Sequence, residues 1–345
     1  MVKTHGELVE GAREVMRLNS SYFRTKALQA AINTGLFEYL AESGPATAPR
    51  LCEALGLHER MAPDFLDALV GLEVLDRDAD GGYRIREHVA DYLVRSGALY
   101  VGGTFTQHSR MHYHAWGRLE EALKDGEAKS NKIDGTEGFM KFYERTEIVH
   151  ALMNHMDTFT RFVAPCLSDV VDWNSYTGFL DLGGARGNLP ALMVQQHPHL
   201  KGAVFDLPPV EPLFDEHMRE LGTEKSVEFH AGDFLNDPIP PADVVIIGHV
   251  LHDWPPERRR EIVRRAYPAV NPGGALLVYD AMLSDERRDP AELLQSLNCR
   301  LIGTGASEYT VSECRSYMEE AGFRFDRVVA IDTLTNDKVA VAYKD

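Results

Sequence analysis

The densest group of chemically capable residues is Gly248-His249-Val250-Leu251-His252-Asp253-Trp254, at the end of the apolar run ADVVII. Imidazole titrates near neutral pH and is the usual general base, so two histidines three apart at a strand end suit proton transfer. An acid on the other ring nitrogen would fix the tautomer and raise basicity. Asp280, which ends GALLVYD, and Glu308, in GTGASEYT, are the candidates. No further ligands converge on the histidine pair, and His108-x3-His112-x-His114 reads as an exposed or substrate-facing helix end, so no metal is expected.

A second group lies upstream. Phe179-Leu180-Asp181-Leu182-Gly183-Gly184-Ala185-Arg186-Gly187 sits between an apolar run and a helical stretch. Glycines there let the backbone turn sharply and approach a ligand. The pattern GxxxxGK[ST] is absent, so this is not a phosphate loop. Asp206 ends the next strand about 20 residues on, where an acid can accept bonds from ribose hydroxyls. The third run ends Ala231-Gly232-Asp233-Phe234, an acid and an aromatic suited to an adenine's amino group and face. Each acid alone reads more often as a cap or solvated turn. Together, at three successive strand ends, they point to an adenosine cofactor.

Positioning these residues requires a sheet. From Tyr176 on, GFLDL, GAVFDL, SVEFHAGD, ADVVIIGHV and GALLVYD alternate with helical stretches, which implies a mostly parallel sheet covered on both faces. FDRVVAIDT and KVAVAYKD are close enough to pair antiparallel. The first ~100 residues carry helical spacing, with Leu28, Ala31, Ile32, Leu36, Phe37 and Leu40 in one stripe. That stripe is too apolar for a solvated helix and predicts a homodimer. A short helix, Gly56 as a stop, a second helix, and a hairpin turning at Asp80, Gly81 and Gly82 then make a winged-helix pattern. Between these parts, Trp116, Leu119 and Leu123 fit a helix ended by Gly126. GTEGFMKFYERTE reads as a loop or short helix, and a long amphipathic helix is expected near 144–170.

The balance of 36 Lys and Arg against 53 Asp and Glu gives a net charge of −17 over 345 residues, which argues against a nucleic-acid or anionic-membrane partner. The second winged-helix helix, APDFLDALVGLEVL, carries Asp64, Asp67 and Glu73 and no cation, so dimerisation is preferred over a DNA-binding regulator. No stretch reaches the ~18 apolar residues of a membrane span, and the opening residues lack the apolar core of a signal peptide. Cys52, Cys166, Cys299 and Cys314 form no CxxC pair. A cytoplasmic protein with free thiols is expected.

The series DLGGARG, FDLPPV, GDFLNDP, HVLHDW, NPGGALLVYDAML and LNCRLIGTGASEYT resembles the S-adenosylmethionine-dependent small-molecule O-methyltransferases, over nearly the whole chain. The subgroup holds caffeate-type and acetylserotonin enzymes and bacterial natural-product methyltransferases of secondary metabolism and antibiotic biosynthesis. The resemblance implies an α/β fold: a Rossmann-like class I methyltransferase sheet with an antiparallel last strand, plus an N-terminal α-helical winged-helix dimerisation domain. It divides the chain into a dimerisation domain over 1–100, a helical connector contributing to the acceptor pocket over 101–170, and a cofactor-binding domain over 171–345.

By the same resemblance His252 is the general base, flanked by Asp280 and Glu308. Gly183, Asp206, Gly232, Asp233, Phe234, His249, Tyr143 and Thr160 contact S-adenosylmethionine. Met156, Asn298, His108 and His112 line the pocket of a small-molecule acceptor, aromatic and natural-product-like. The expected reaction is O-methylation, with C- or N-methylation, or a non-methylating reaction at the same cofactor site, as alternatives. The sequence departs from the pattern at Ala185, where the family has glycine, at Gly248, where plant members have lysine, at His249, where the acetylserotonin enzyme has arginine, and at Tyr309, where the family has arginine.

Overall fold

The computed structural model describes residues 4–97, 99–130, 135–143 and 146–345. The chain divides into two compact units, Met1–Ser109 and Arg110–Asp345.

The first unit opens with α1 (His5–Asn19), whose N-terminus is closed by a capping box in which Thr4 and Glu7 bond each other's backbone N–H. Helices α2 (Ser21–Asn33) and α3 (Leu36–Ser43) follow, separated at Gly35, which takes the left-handed φ of 74° that glycine adopts without strain. Strand β1 (Ala46–Thr47), α4 (Ala48–Leu55), α5 (Ala62–Gly71), β2 (Leu75–Arg77) and β3 (Gly82–Ile85) then form the winged-helix pattern, with sheet order β1-β3-β2. Gly56 stops α4 in the left-handed region as expected. Helices α6 (Glu87–Leu93) and α7 (Gly102–Gln107) complete the unit.

The apolar stripe of α2 and α3 is spent inside this unit. Ala31, Leu36, Phe37 and Leu40 are buried with Leu51, Leu66, Leu69 and Tyr83, and Leu28 and Ile32 pack against them. The exposed apolar surface lies earlier, at Leu8, Val15, Met16 and Leu18 of α1 and at Tyr22 and Phe23. The sequence argument for self-association therefore belongs to α1 and the start of α2, not to the stripe.

A π-helical turn over His108–His112 leads into the second unit's α8 (Tyr113–Trp116) and α9 (Leu119–Asp125), which Gly126 ends. Trp116 and Leu119 were expected on one helix. Gly117 and Arg118 break it, each N–H turning back to a carbonyl of α8. The segment read as a loop or short helix contains α10 (Gly135–Tyr143), and the long helix is α11 (Thr146–Leu167). Glu144 and Arg145, expected at that helix's start, lie outside the described residues.

The sheet then builds from β4 (Gly178–Leu182), α12 (Asn188–Gln196), β5 (Lys201–Asp206), α13 (Glu211–Leu221), β6 (Val227–Ala231), β7 (Ala242–Gly248), α14 (Pro256–Ala269), β8 (Val270–Asp280), α15 (Pro290–Ile302), α16 (Val311–Ala321), β9 (Arg324–Ala330) and β10 (Lys338–Tyr343). Its order is β6-β5-β4-β7-β8-β10-β9. The strands from β6 to β8 are parallel, and β10 lies antiparallel between β8 and β9. Because β7 and β8 are covered on both faces, they read as continuous apolar runs, and Val244–Ile247 and Ala275–Tyr279 are buried throughout. The order reverses between β4 and β7, so a crevice opens beyond their carboxyl ends. No described helix is long and apolar enough to cross a membrane.

Candidate active site

The crevice is lined from three strand ends. Asp206 closes β5, and its carboxylate accepts from the Ala185 N–H at 2.8 Å and the Leu207 N–H at 2.7 Å. Burial pushes its pKa up to about 6 against the pull of those two donors, so it is ionised at neutral pH. Asp181, beneath the glycine loop, is driven to about 8 by burial and by Asp206, which makes it a neutral acid at pH 7. Asp233 is already employed, accepting from Leu235 N–H at 2.9 Å and the Asn236 amide at 2.7 Å. It thus closes its own turn, with one lone pair left on each oxygen for a ligand. Phe234 stands edge-on to Trp254 with ring centres 5.9 Å apart, and Trp254 is followed by Phe139 at 6.3 Å and Tyr143 stacked on Phe139 at 6.5 Å. Burial and the nearby charges of Asp206 and Asp253 hold the Tyr143 phenol well above its usual value.

The glycines here serve protein packing. A Cβ on Gly183 (φ 77°) would lie 2.8 Å from Val250, one on Gly184 2.6 Å from Asp181, and one on Gly232 would run into the Phe205 ring. Gly248 has no room either, because Tyr279 occupies the space a side chain would need. Ala185 is the exception: it keeps a left-handed φ of 48° despite its methyl. That conformation costs about 1 kcal/mol for an L-residue. Its methyl is buried with Val149 and Met153, with Met156 and Tyr143 packed alongside, so burial offsets the strain instead of crowding the crevice.

Helix α11 is tied to the loop. The Arg186 guanidinium pairs with Asp157 and donates to Asn154 at 2.8 Å. Thr160 accepts from the Asn188 amide at 2.7 Å while its own hydroxyl faces the Met156 and Asp157 carbonyls. Thr160 therefore orients the residue after the loop. Asn298, on α15, accepts from the Trp116 indole N–H at 2.9 Å. His112 is buried edge-on to His155, with ring centres 6.1 Å apart. His108 belongs to the first unit and His112 to the second.

The three acid–base residues meet. His252 Nδ1 lies 2.9 Å from Asp280 Oδ1 and 3.2 Å from Glu308 Oε1. Both carboxylates are buried. Neither approach is aligned as a hydrogen bond, which leaves Nδ1, Asp280 Oδ1 and Glu308 Oε2 without one. Asp280 is steadied by the Tyr309 hydroxyl, which donates at 2.5 Å, and Glu308 by the Cys299 thiol at 3.7 Å. Cys299, His252 and Glu308 have ligating atoms within 4.8 Å of one another. Sequence reasoning passed over Cys299 and Tyr309, although both lie within the matching motif.

His249 holds a strained φ of 51° and stacks on His252 with ring centres 5.8 Å apart. Its Nε2 lies 3.1 Å from Asp337 Oδ1. Burial opposes charge on the His249 ring, but Asp337 prevails and raises its pKa. Burial likewise opposes charge on Asp337, yet His249 and two threonine hydroxyls bring it down to about 2.

Burial disfavours the His252 cation, but Asp280, Glu308 and Asp253 together lift its pKa well above 6.5. A base must be neutral to accept a proton. Turnover should therefore fall as pH drops through a value above the usual 6.5, along a limb of one proton. A pH profile of kcat/KM tests this, and a limb at or below 6 would contradict it. Stability runs the opposite way. The imidazolium's contribution is complete below about 6.5 and is lost as pH rises through the raised value.

Residues 116–324 match the O-methyltransferase domain family, and residues 16–96 the O-methyltransferase dimerisation domain family. The chain is 46% identical to N,N-dimethyltransferase OxyT of Streptomyces rimosus over 97% of both chains. It is 40% identical to the tetracenomycin polyketide synthesis 8-O-methyl transferase TcmO of Streptomyces glaucescens, over 94% of this chain and 96% of that one. Among solved structures, human N-acetylserotonin methyltransferase in complex with S-adenosylmethionine superposes with a TM-score of 0.87 at 26% identity, covering 97% of each chain.

Proposed function

We propose, starting from a chain that belongs to the S-adenosylmethionine-dependent O-methyltransferase family, that it methylates a hydroxyl of a small aromatic, polyketide-like acceptor with His252 as the base. The observation that carries this is His252 set between buried Asp280 and Glu308. The pair fixes the ring and stabilises the imidazolium formed when the acceptor's proton arrives. A phenol is a poor nucleophile until it loses that proton, so deprotonation and alignment are the protein's main tasks.

S-adenosylmethionine, the family's cofactor, supplies an electrophilic methyl group on a cationic sulfur. The residues present suit it: Asp206 would be the acid for the ribose, Phe234 and Trp254 would offer aromatic surface to the adenine, and Tyr143 lies near enough to Asp206 to feel its charge. We assign Gly183, Gly232, Asp233, His249 and Thr160 to the same site, Thr160 through Asn188. Met156, Asn298, His108 and His112 are assigned to the acceptor side.

We keep the functional division at 1–100, 101–170 and 171–345. The Trp116–Asn298 and Arg186–Asp157 contacts support a connector that serves both acceptor and cofactor. We further read the protein as a cytoplasmic homodimer, a reading supported by the dimerisation-domain match and the exposed apolar side chains of α1.

N-methylation is the second reading, favoured by the name of the 46%-identical relative. Incubating the enzyme with methyl-13C cofactor and a panel of phenolic and amino-substituted polyketides separates the two. The labelled carbon's chemical shift distinguishes O-, N- and C-methyl products. Methylation only at nitrogen would overturn the first reading, and product without S-adenosylhomocysteine release would overturn both.

A further inference from the structure

Among the described residues Arg259, 1% exposed on α14, is the most deeply buried lysine or arginine, and no acid pairs with it. Its Nε is shared between the carbonyls of Leu251, at 3.0 Å, and Trp254, at 2.7 Å. Those carbonyls bracket His252 on either side. Its Nη2 donates to the Ser307 carbonyl at 2.6 Å and the Ser307 hydroxyl at 2.8 Å. Ser307 immediately precedes Glu308, and its own N–H donates to the His252 carbonyl at 2.8 Å. The guanidinium carbon stands 4.9 Å over the ring of Tyr309, whose hydroxyl holds Asp280. One side chain thus touches the backbone that carries His252, the backbone that carries Glu308, and the ring that orients Asp280.

We propose that Arg259 is the positioning residue that sets His252, Asp280 and Glu308 in register. The planar fork is what makes this possible, because its donors leave in fixed directions and can serve separate segments at once. A lysine in its place would keep the charge without that geometry. The register matters because Nδ1 is held by distance to both carboxylates with neither bond aligned, so a small shift of the 251–254 turn changes which acid it faces. The inference rests on His252 being the base.

The test compares Arg259→Met with Arg259→Lys. It reads kcat together with the Kd for S-adenosylhomocysteine by calorimetry. Arg259→Met should lose about 100-fold in kcat, the scale of an ångström-level misplacement, with cofactor affinity held within about threefold. Arg259→Lys, which keeps the charge without the planar fork, should recover no more than about tenfold of that loss. Wild-type kcat in either variant, or a parallel loss of cofactor affinity, would overturn the proposal. If Arg259→Met does not fold, Arg259→Lys decides: a kcat loss with unchanged affinity upholds the proposal, and wild-type kcat overturns it. Wild-type turnover by His252→Ala would instead sink the base assignment, leaving the Arg259 kinetics as a separate result.

Discussion

His252→Ala should lose about 1,000-fold in kcat at pH 8, within the range general-base catalysis contributes, while binding S-adenosylhomocysteine within about threefold of wild type. Two observations make the effects separable. The ring's partners are Asp280 and Glu308, at 2.9 and 3.2 Å, and neither belongs to the crevice behind β5 and β6. The backbone of the 251–254 turn is held by Arg259 and Ser307, so truncating the imidazole leaves the turn in place. The acidic limb of the pH profile should vanish with the ring. A loss under tenfold would mean that the acceptor ionises unaided. An equal loss of cofactor affinity would make the histidine structural.

Asp206→Ala should show the complementary pattern, a Kd for S-adenosylhomocysteine weakened about 100-fold, as expected for losing two hydrogen bonds to a charged group. The carboxylate does two jobs at once. It is the acid at the second strand end suited to a ribose, and it already accepts from Ala185 and Leu207. The Ala185 bond matters because that residue is held left-handed without being glycine. Removing its acceptor leaves a buried N–H unsatisfied and frees the loop to relax. Saturating cofactor should restore part of kcat, since His252 and its acids are untouched. Calorimetric affinity within threefold of wild type would sink the assignment.

The strand ends were legible because one element determines them: an apolar run stops at an acid or a glycine, and the next helix begins. That reading put Asp206, Gly232, Asp233, Phe234, His252 and Asp280 at or just past strand ends, which is where β5, β6, β7 and β8 stop. What stayed hidden depended on partners far along the chain. Asp337 meets His249 across 88 positions, and nothing in TNDKV marks it as a buried acid. Arg259 sits in ERRRE, which reads as a solvated charge run, although its spacing to Ile262, Val263 and Ala266 is that of a buried helix face. Tyr279 and Gly248 show the same limit. A glycine where other members carry lysine made sense only once the neighbouring strand's ring was seen to fill the gap.

The antiparallel strand carries a consequence for the order in which the molecule assembles. β10 supplies the neighbour that β8 lacks, yet it follows β8 in the chain by α15, α16 and β9. During synthesis from the N-terminus, the row from β6 to β8 can therefore be complete while the outer edge of β8, carrying Leu276, Leu277 and Val278, still offers unpaired backbone groups. Such an edge is a template for another chain, and its closure waits on a long-range pairing, the slow kind. β9 must leave a strand's width free for a segment not yet made. The turn that delivers β10 also carries Asp337, so the last strand to enter the sheet also brings the acid that charges His249. A nascent chain can thus hold its crevice early but completes the surroundings of His249 and His252 at the end.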